Sequence, residues 1–431
     1  MKIYKLIILF IFAITSSILV SCKKSGGTGQ PDTLGDYSVF AWNDLGMHCL
    51  NPSYDKLVIL PPYNNVMVQV VKRGNPPEVV TSGVTVSYKL TNNTSSYNKR
   101  SYGGFWDNAN KLFGLTLVHD IGLKGKGLSG EMTANGDYFI AEGIPVVPVD
   151  DNNTWSPFQV AEITVKNGSG TVLAQTQATV PTSDEINCAK CHGTTNAFDD
   201  ILSKHDSKHG TNLSAAGSKP VLCASCHPSP ALGINDGPQM YLSRALHGSH
   251  SSRGASCYDC HPGTITKCNR SLRHNNSNAA DGNCIECHGD MANVAGTIAS
   301  GRIPWAGEPA CATCHTGVTG VSTGTALYRK SQGHGSLYCS ACHGSPHAMY
   351  PSRETADNYQ SKQYQGFTSR IKTIGSCGVC HDNSRGEGAN EFAEIHGGTN
   401  PEKIIGCRAC HTSLSADTGE WPHAYTWKNT N

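Results

Sequence analysis

Cys188-Ala189-Lys190-Cys191-His192 opens the series that decides the architecture of this 431-residue chain. The same Cys-x-x-Cys-His spacing returns at Cys223/Cys226/His227, Cys257/Cys260/His261, Cys284/Cys287/His288, Cys311/Cys314/His315, Cys339/Cys342/His343, Cys377/Cys380/His381 and Cys407/Cys410/His411. That makes eight copies, whose starts lie 27 to 38 residues apart. On a helical turn, positions i, i+3 and i+4 share one face. Two thiols so placed reach the two vinyl groups of one haem, and the adjacent imidazole stands under the ring as the proximal iron ligand. The series implies eight covalently bound haem c groups with His192, His227, His261, His288, His315, His343, His381 and His411 as proximal ligands. Zinc is the competing use of paired cysteines, but a zinc site does not need a His after the second Cys every time. Eight redox-active Cys-x-x-Cys disulfides in one chain would have no evident use.

An iron closed to substrate needs a sixth ligand as well. After residue 181 nine further histidines stand outside the motifs: His205, His209, His247, His250, His274, His334, His347, His396 and His423. Nine candidates for eight irons point to mostly bis-His, low-potential haems. Two close pairs, His205/His209 and His247/His250, complicate the count. If each pair supplies one ligand, seven remain and His48 becomes a candidate for the eighth. Methionine is the other option, represented in this region by Met240, Met291 and Met349.

Outward from the motifs the composition changes. Only 16% of residues are charged and 38% hydrophobic, while Gly (46) and Cys (19) are abundant. From Asn187 onward aliphatic residues are too sparse for an ordinary core, and short helices and loops wrapped around flat apolar porphyrins are expected over residues 182–431. Residues 36–181 alternate instead in the strand manner and contain one cysteine, Cys49. Val66–Val71 and Val84–Leu90 read as strands. Ala161–Lys166 and Thr171–Thr176 read as a hairpin around Asn167-Gly168-Ser169-Gly170. Several short strands with turn signals predict a β-sandwich. Asp44, His48 and His119 form no convincing catalytic set there.

The first residues read as a targeting segment. Lys2 and Lys5 precede an apolar stretch from Ile7 to Val20, too short for a membrane span. Leu19-Val20-Ser21-Cys22 resembles a bacterial lipobox, which implies cleavage after residue 21 and lipidation of Cys22. Lys23 and Lys24 follow, with no Asp, in a pattern similar to that of outer-membrane lipoproteins. Residues 22–35 then form a flexible tether. Sixteen cysteines belong to motifs, and with Cys22 assigned, Cys49 and Cys268 remain. In an oxidising compartment a bridge between them would pin the two regions together. The formal charge of +1, without a basic run, gives no case for nucleic acid.

Through its eight motifs the stretch 188–411 resembles the multihaem c-type cytochromes. The dense spacing is similar both to extracellular cytochromes that polymerise into filaments and to periplasmic octahaem reductases. Asn43-Asp44-Leu45-Gly46-Met47-His48-Cys49 resembles a stretch of β-domains attached to multihaem proteins. The first resemblance implies an outer-membrane or cell-surface electron carrier, with redox proteins or an extracellular acceptor as partners. Its filament-forming members imply a homopolymer in which a neighbouring subunit donates a His. The second implies an enzyme acting on small nitrogen or sulfur compounds at one open iron. Several such enzymes carry Cys-x-x-Cys-Lys, which is missing here, while Lys204, Lys208, Lys219 and Lys330 lie near motifs. The electron carrier is the preferred expectation.

Overall fold

The computed structural model describes residues 35–381 except residues 75, 264, 273, 275–283, 308, 314–326 and 366–378. Strands come first: β1 (Tyr37–Asn43), β2 (His48–Cys49), β3 (Leu57–Val58), β4 (Asn64–Lys72), β5 (Glu78–Val80) and β6 (Val84–Leu90). Two short helices, α1 (Gly104–Asp107) and α2 (Ala109–Phe113), precede β7 (Ser129–Glu131), β8 (Thr133–Asn135), β9 (Tyr138–Ile144), β10 (Phe158–Asn167) and β11 (Val172–Ser183). The region is sheet-rich, as the alternation predicts. One sheet runs β1-β4-β9-β8 with β5 also on β4, and the other runs β2-β11-β10-β6-β7. Ladders are antiparallel within both, apart from the parallel pairing of β2 with β11.

Alternation explains the packing. Val66, Val68 and Val70 of β4 and Val39 and Ala41 of β1 face Val86, Tyr88, Leu90, Ala161, Ile163, Val165, Ala178 and Val180 of the second sheet, in one apolar cluster. The expected hairpin joins β10 to β11. Its turn is closed by Asn167 N–H donating to Thr171 O (3.0 Å) and by Gly170 at φ +85°, a conformation that favours glycine. Strand β11 runs on to Ser183, well past the residue at which the alternation stops being evident.

Strand β1 carries no clean alternation because it is buried on both faces. Val39 and Ala41 point into the sandwich, whereas Phe40 and Trp42 join Met67, Val71, Ala341, Tyr364 and Val379 on the outer side. It is also an edge strand, and its free edge is covered. Tyr364 Oη accepts from Val39 N–H (2.7 Å), Gln360 Oε1 accepts from Ala41 N–H (2.9 Å) and Ser38 Oγ donates to Val379 O (2.5 Å). An edge so occupied offers no template to another chain.

Beyond Ser183 only short elements occur among the described residues. These are α3 (Ala189–His192), α4 (Ala197–His209), β12 (Val221–Leu222), α5 (Leu242–His250), α6 (Cys284–His288), α7 (Met291–Ala299), α8 (Cys339–His343) and α9 (Tyr359–Gln365), with several 3-10 turns. This region rests on the sheets rather than beside them. Strand β12 pairs with β3, and Leu222 and Ala224 join an aromatic cluster of Tyr54, Tyr102, Phe105 and Trp106. Arg270 reaches back to the Gly46 carbonyl (2.7 Å) while holding Asp357 through two bonds of 2.9 and 3.0 Å, both side chains almost wholly buried. No helix of the described residues is long and apolar enough to cross a membrane.

Candidate haem-binding site

Each described motif is a single turn. In the first, Cys188 precedes α3, and the amides of Cys191 and His192 both donate to the Cys188 carbonyl, at 3.2 and 3.0 Å. The second and third repeat this on 3-10 turns: Cys226 and His227 donate to Cys223 O (3.3 and 3.1 Å), and Cys260 and His261 to Cys257 O (3.2 and 2.8 Å). The fourth, with Cys284, Cys287 and His288, is the helix α6, and the sixth, with Cys339, Cys342 and His343, is the helix α8. Both thiols and the imidazole of a motif thus share one face of a turn. Of the remaining copies, Cys311, Cys380 and His381 are described, whereas Cys314, His315, Cys377, Cys407, Cys410 and His411 lie outside the described residues, as do Cys22, His396 and His423.

In four of the five motifs whose two thiols are both described, the two differ in burial, whereas Cys339 and Cys342 are both half-buried. Cys287 is exposed while Cys284 is half-buried, and Cys191, Cys226 and Cys260 are likewise exposed beside half-buried Cys188, Cys223 and Cys257. Helix α6, which carries both Cys284 and Cys287, has no buried residue. The Cys287 thiol stands on the surface that a flat apolar ring would have to cover.

Motifs far apart in sequence stand side by side. Asn187 N–H donates to Asp259 O (2.9 Å), and the Asp259 carboxylate takes the Lys190 ammonium on both oxygens at 2.7 Å, tying the first motif to the third. Burial pushes the Cys188 thiol up to about 11, with Cys260 adding to the shift, and burial pushes Cys223 up to about 12, with Cys188 contributing. Cys380 is raised by burial and by Cys342.

Four motif histidines each face a histidine from outside the motifs. Ring centroids are 6.3 Å apart for His192 and His250, 6.4 Å for His227 and His205, 6.1 Å for His261 and His247, and 6.2 Å for His288 and His347. With metal–imidazole bonds of about 2.0–2.1 Å and a centroid about 1.1 Å behind each nitrogen, two imidazoles on opposite sides of one metal sit about 6.3 Å apart. The ring nitrogens are oriented to match. His227 Nδ1 donates to Met240 O (2.8 Å), His247 Nδ1 to Ser243 O (2.7 Å), His250 Nδ1 to Leu246 O (2.8 Å) and His347 Nδ1 to Leu45 O (2.9 Å). His205 Nδ1 meets Thr211 Oγ1 (2.9 Å) and His192 Nδ1 meets Asp200 Oδ2 (2.8 Å). With Nδ1 engaged, Nε2 is the nitrogen left for a metal. The residues present therefore fit a thioether-linked haem with two axial imidazoles.

The close pairs resolve differently from each other. His247 and His250 both engage motifs, facing His261 and His192 from the same helix α5. His209 instead packs on His205, at 4.8 Å between centroids, rather than on a motif histidine. His48 is also placed elsewhere: it is buried, its Nε2 lies 2.7 Å from Asp44 Oδ1, and Asn65 donates to the other oxygen of that carboxylate. Burial pushes Asp44 up, but His48 and Asn65 outweigh it and hold the carboxyl below its ordinary value. His119 stacks on Tyr97 at 3.5 Å. Lys204 and Lys219 pair with Asp200 and Asp199 at 2.5 Å, not with a motif. The His274 carbonyl accepts from Asn269 Nδ2 (2.8 Å), and His334 begins a 3-10 turn. Cys49 and Cys268 stand as separate thiols but as neighbours: burial drives Cys49 far up with Cys268 adding to it, and burial pushes Cys268 to about 11.

The family described as "Cytochrome c554 and c-prime" matches this chain over residues 298–344. The match supports a c-type cytochrome. It spans two of the Cys-x-x-Cys-His copies, those beginning at Cys311 and Cys339. No curated protein and no solved structure matches the chain. Covalently bound haem c and a haem-based electron-transfer role are the properties this likeness supports. Among the described residues, no three His, Cys, Asp or Glu side chains converge as a site for a bare metal ion.

The groups that aim the imidazoles leave little mark in the sequence pattern. Ser243 and Leu246 are legible in hindsight, since a helical ring finds the carbonyl four residues earlier on its own helix. Asp200 and Leu45 carried no such signal, because both act from a different element.

Proposed function

We propose that this cytochrome carries eight haems and passes electrons along them, most of the irons being held between two histidines. The observation that carries the reading is the fourfold match of a motif imidazole with an outside imidazole at 6.1–6.4 Å. Proximity of motifs supports transfer between haems. Helix α4 bears on the first and second motifs through Asp200 and His205, and helix α5 on the first and third through His250 and His247, so these three paired sites adjoin. Met240, Leu246 and Ile285 stand exposed near the paired rings, as apolar surface that a porphyrin would cover. In this reading the porphyrins are the core of the region from residue 182, and the sheets of residues 36–181 are its platform. Cys22 carries the lipid, and the protein works at the outer membrane or cell surface, delivering electrons to a redox protein or an extracellular acceptor.

The test is production with intact cytochrome c maturation. The expected mature protein is red, with the mass of eight haems, low-spin in paramagnetic resonance, and binding little carbon monoxide when reduced. A colourless protein without that added mass would overturn the reading. Stoichiometric carbon monoxide binding at one haem would favour a reductase of small nitrogen or sulfur compounds. Radiolabelled fatty acid retained by wild type and lost in Cys22→Ala tests the anchor.

A further inference from the structure

Six ring nitrogens in the four histidine pairs have an identified acceptor, and the acceptors differ in charge. Four are backbone carbonyls, those of Met240, Ser243, Leu246 and Leu45. One is the Thr211 hydroxyl, which passes its own hydrogen to Asp206 (2.6 Å). The sixth is a carboxylate in direct contact: Asp200 Oδ2 lies 2.8 Å from His192 Nδ1. The same oxygen receives the Lys204 ammonium at 2.5 Å. Asp200 and Lys204 are i and i+4 on α4, so the helix that carries His205 to the second motif also carries this pair to the first.

We propose that Asp200 sets the potential of the haem borne by Cys188 and Cys191, holding it lower than a carbonyl acceptor would, and that Lys204 limits the effect. A carboxylate drawing on Nδ1–H gives the ring imidazolate character. The ring then donates more strongly through Nε2 and stabilises ferric over ferrous iron, lowering the one-electron midpoint. An ammonium on the same oxygen withdraws part of that charge. Helix α4 joins the first motif to the second through Asp200 and His205, and helix α5 joins it to the third through His250 and His247, so a low step here sits within the row of paired haems.

This inference rests on the two-histidine reading above, and the experiment separates the two. Asp200→Asn keeps the shape and an acceptor but removes the charge; Lys204→Ala, at an exposed position, leaves the carboxylate undivided. Redox titration of the full holoprotein is followed by paramagnetic resonance. The expected result is one midpoint shifted upward in Asp200→Asn and the same midpoint shifted downward in Lys204→Ala, with haem content unchanged. A role in merely capping or stabilising α4 would not give opposite shifts. Midpoints unmoved in both variants, with haem content and low-spin spectra intact, would overturn the assignment. If Asp200→Asn fails to mature, Lys204→Ala alone decides it. Absence of low-spin haem in the wild type would instead sink the underlying reading and this inference with it.

Discussion

The carbonyl oxygen of Leu45 receives both the ring and the backbone of His347, Nδ1 at 2.9 Å and the amide nitrogen at 3.3 Å. A loop between two strands of the sheet region thereby aims a histidine that faces the fourth motif. Ser345 Oγ adds a bond to Asn43 O (2.6 Å) at the start of the same loop. The stretch Asn43–Cys49 is therefore a seat for the haem region, and the sheets are a structural part of the candidate site.

Gly46 shows how tight that seat is. Its φ is +85°, and a Cβ there would lie 3.2 Å from Ala348 N and 3.3 Å from His347 N. Gly46→Val carries a backbone penalty of about 1–3 kcal/mol in addition to the clash. We expect one low-spin haem to be lost and carbon monoxide to bind one reduced haem; visible spectra with and without the gas check this. Unaltered spectra would show that the loop does not aim the ligand.

The Arg270–Asp357 pair is buried and fully engaged. Asp357 also accepts from Thr179 and Ser352 (2.6 Å each), and Arg270 lies 4.9 Å over the Phe158 ring. Removing one partner of such a pair leaves a charge stranded in a dry place. Arg270→Ala is expected to cost about 3–5 kcal/mol, measured by guanidinium unfolding of the holoprotein. A loss below about 1 kcal/mol, the range of exposed pairs, would contradict this account.

Ring planes predict two kinds of ferric signal. His192/His250 and His205/His227 cross at 72° and 87°, whereas His247/His261 and His288/His347 lie at 28° and 30°. Crossed axial rings leave two iron d orbitals nearly degenerate and give a strongly anisotropic low-spin spectrum; near-parallel rings split them and give a rhombic one. His347→Ala should remove rhombic intensity, and His250→Ala anisotropic intensity. The reverse outcome would mean that the pairing is wrong.

In an oxidising compartment Cys49 and Cys268 are expected to be joined. Their pairing would link β2 to the segment leading to Arg270, and a bridge closing so long a loop contributes about 2–4 kcal/mol. Intact mass without reduction, two hydrogens lighter than the dithiol form, checks it; two alkylatable thiols would rule it out.

The residue pattern alone determined what is local. Cys-x-x-Cys-His needs only one turn to gather its three groups, so spacing suffices, and Val84–Leu90 and the hairpin at Asn167 were legible because a two-residue period records which face is buried. Strand β1 was not legible, since burial on both faces erases that period. Only the tertiary structure decided which outside histidine meets which motif. His205 and His247 precede the motifs they face, whereas His250 and His347 lie far beyond theirs, and no local rule relates the two. The same holds for Asp200 and Leu45: an acceptor that aims an imidazole acts through one hydrogen bond across space, and chain spacing carries no trace of it.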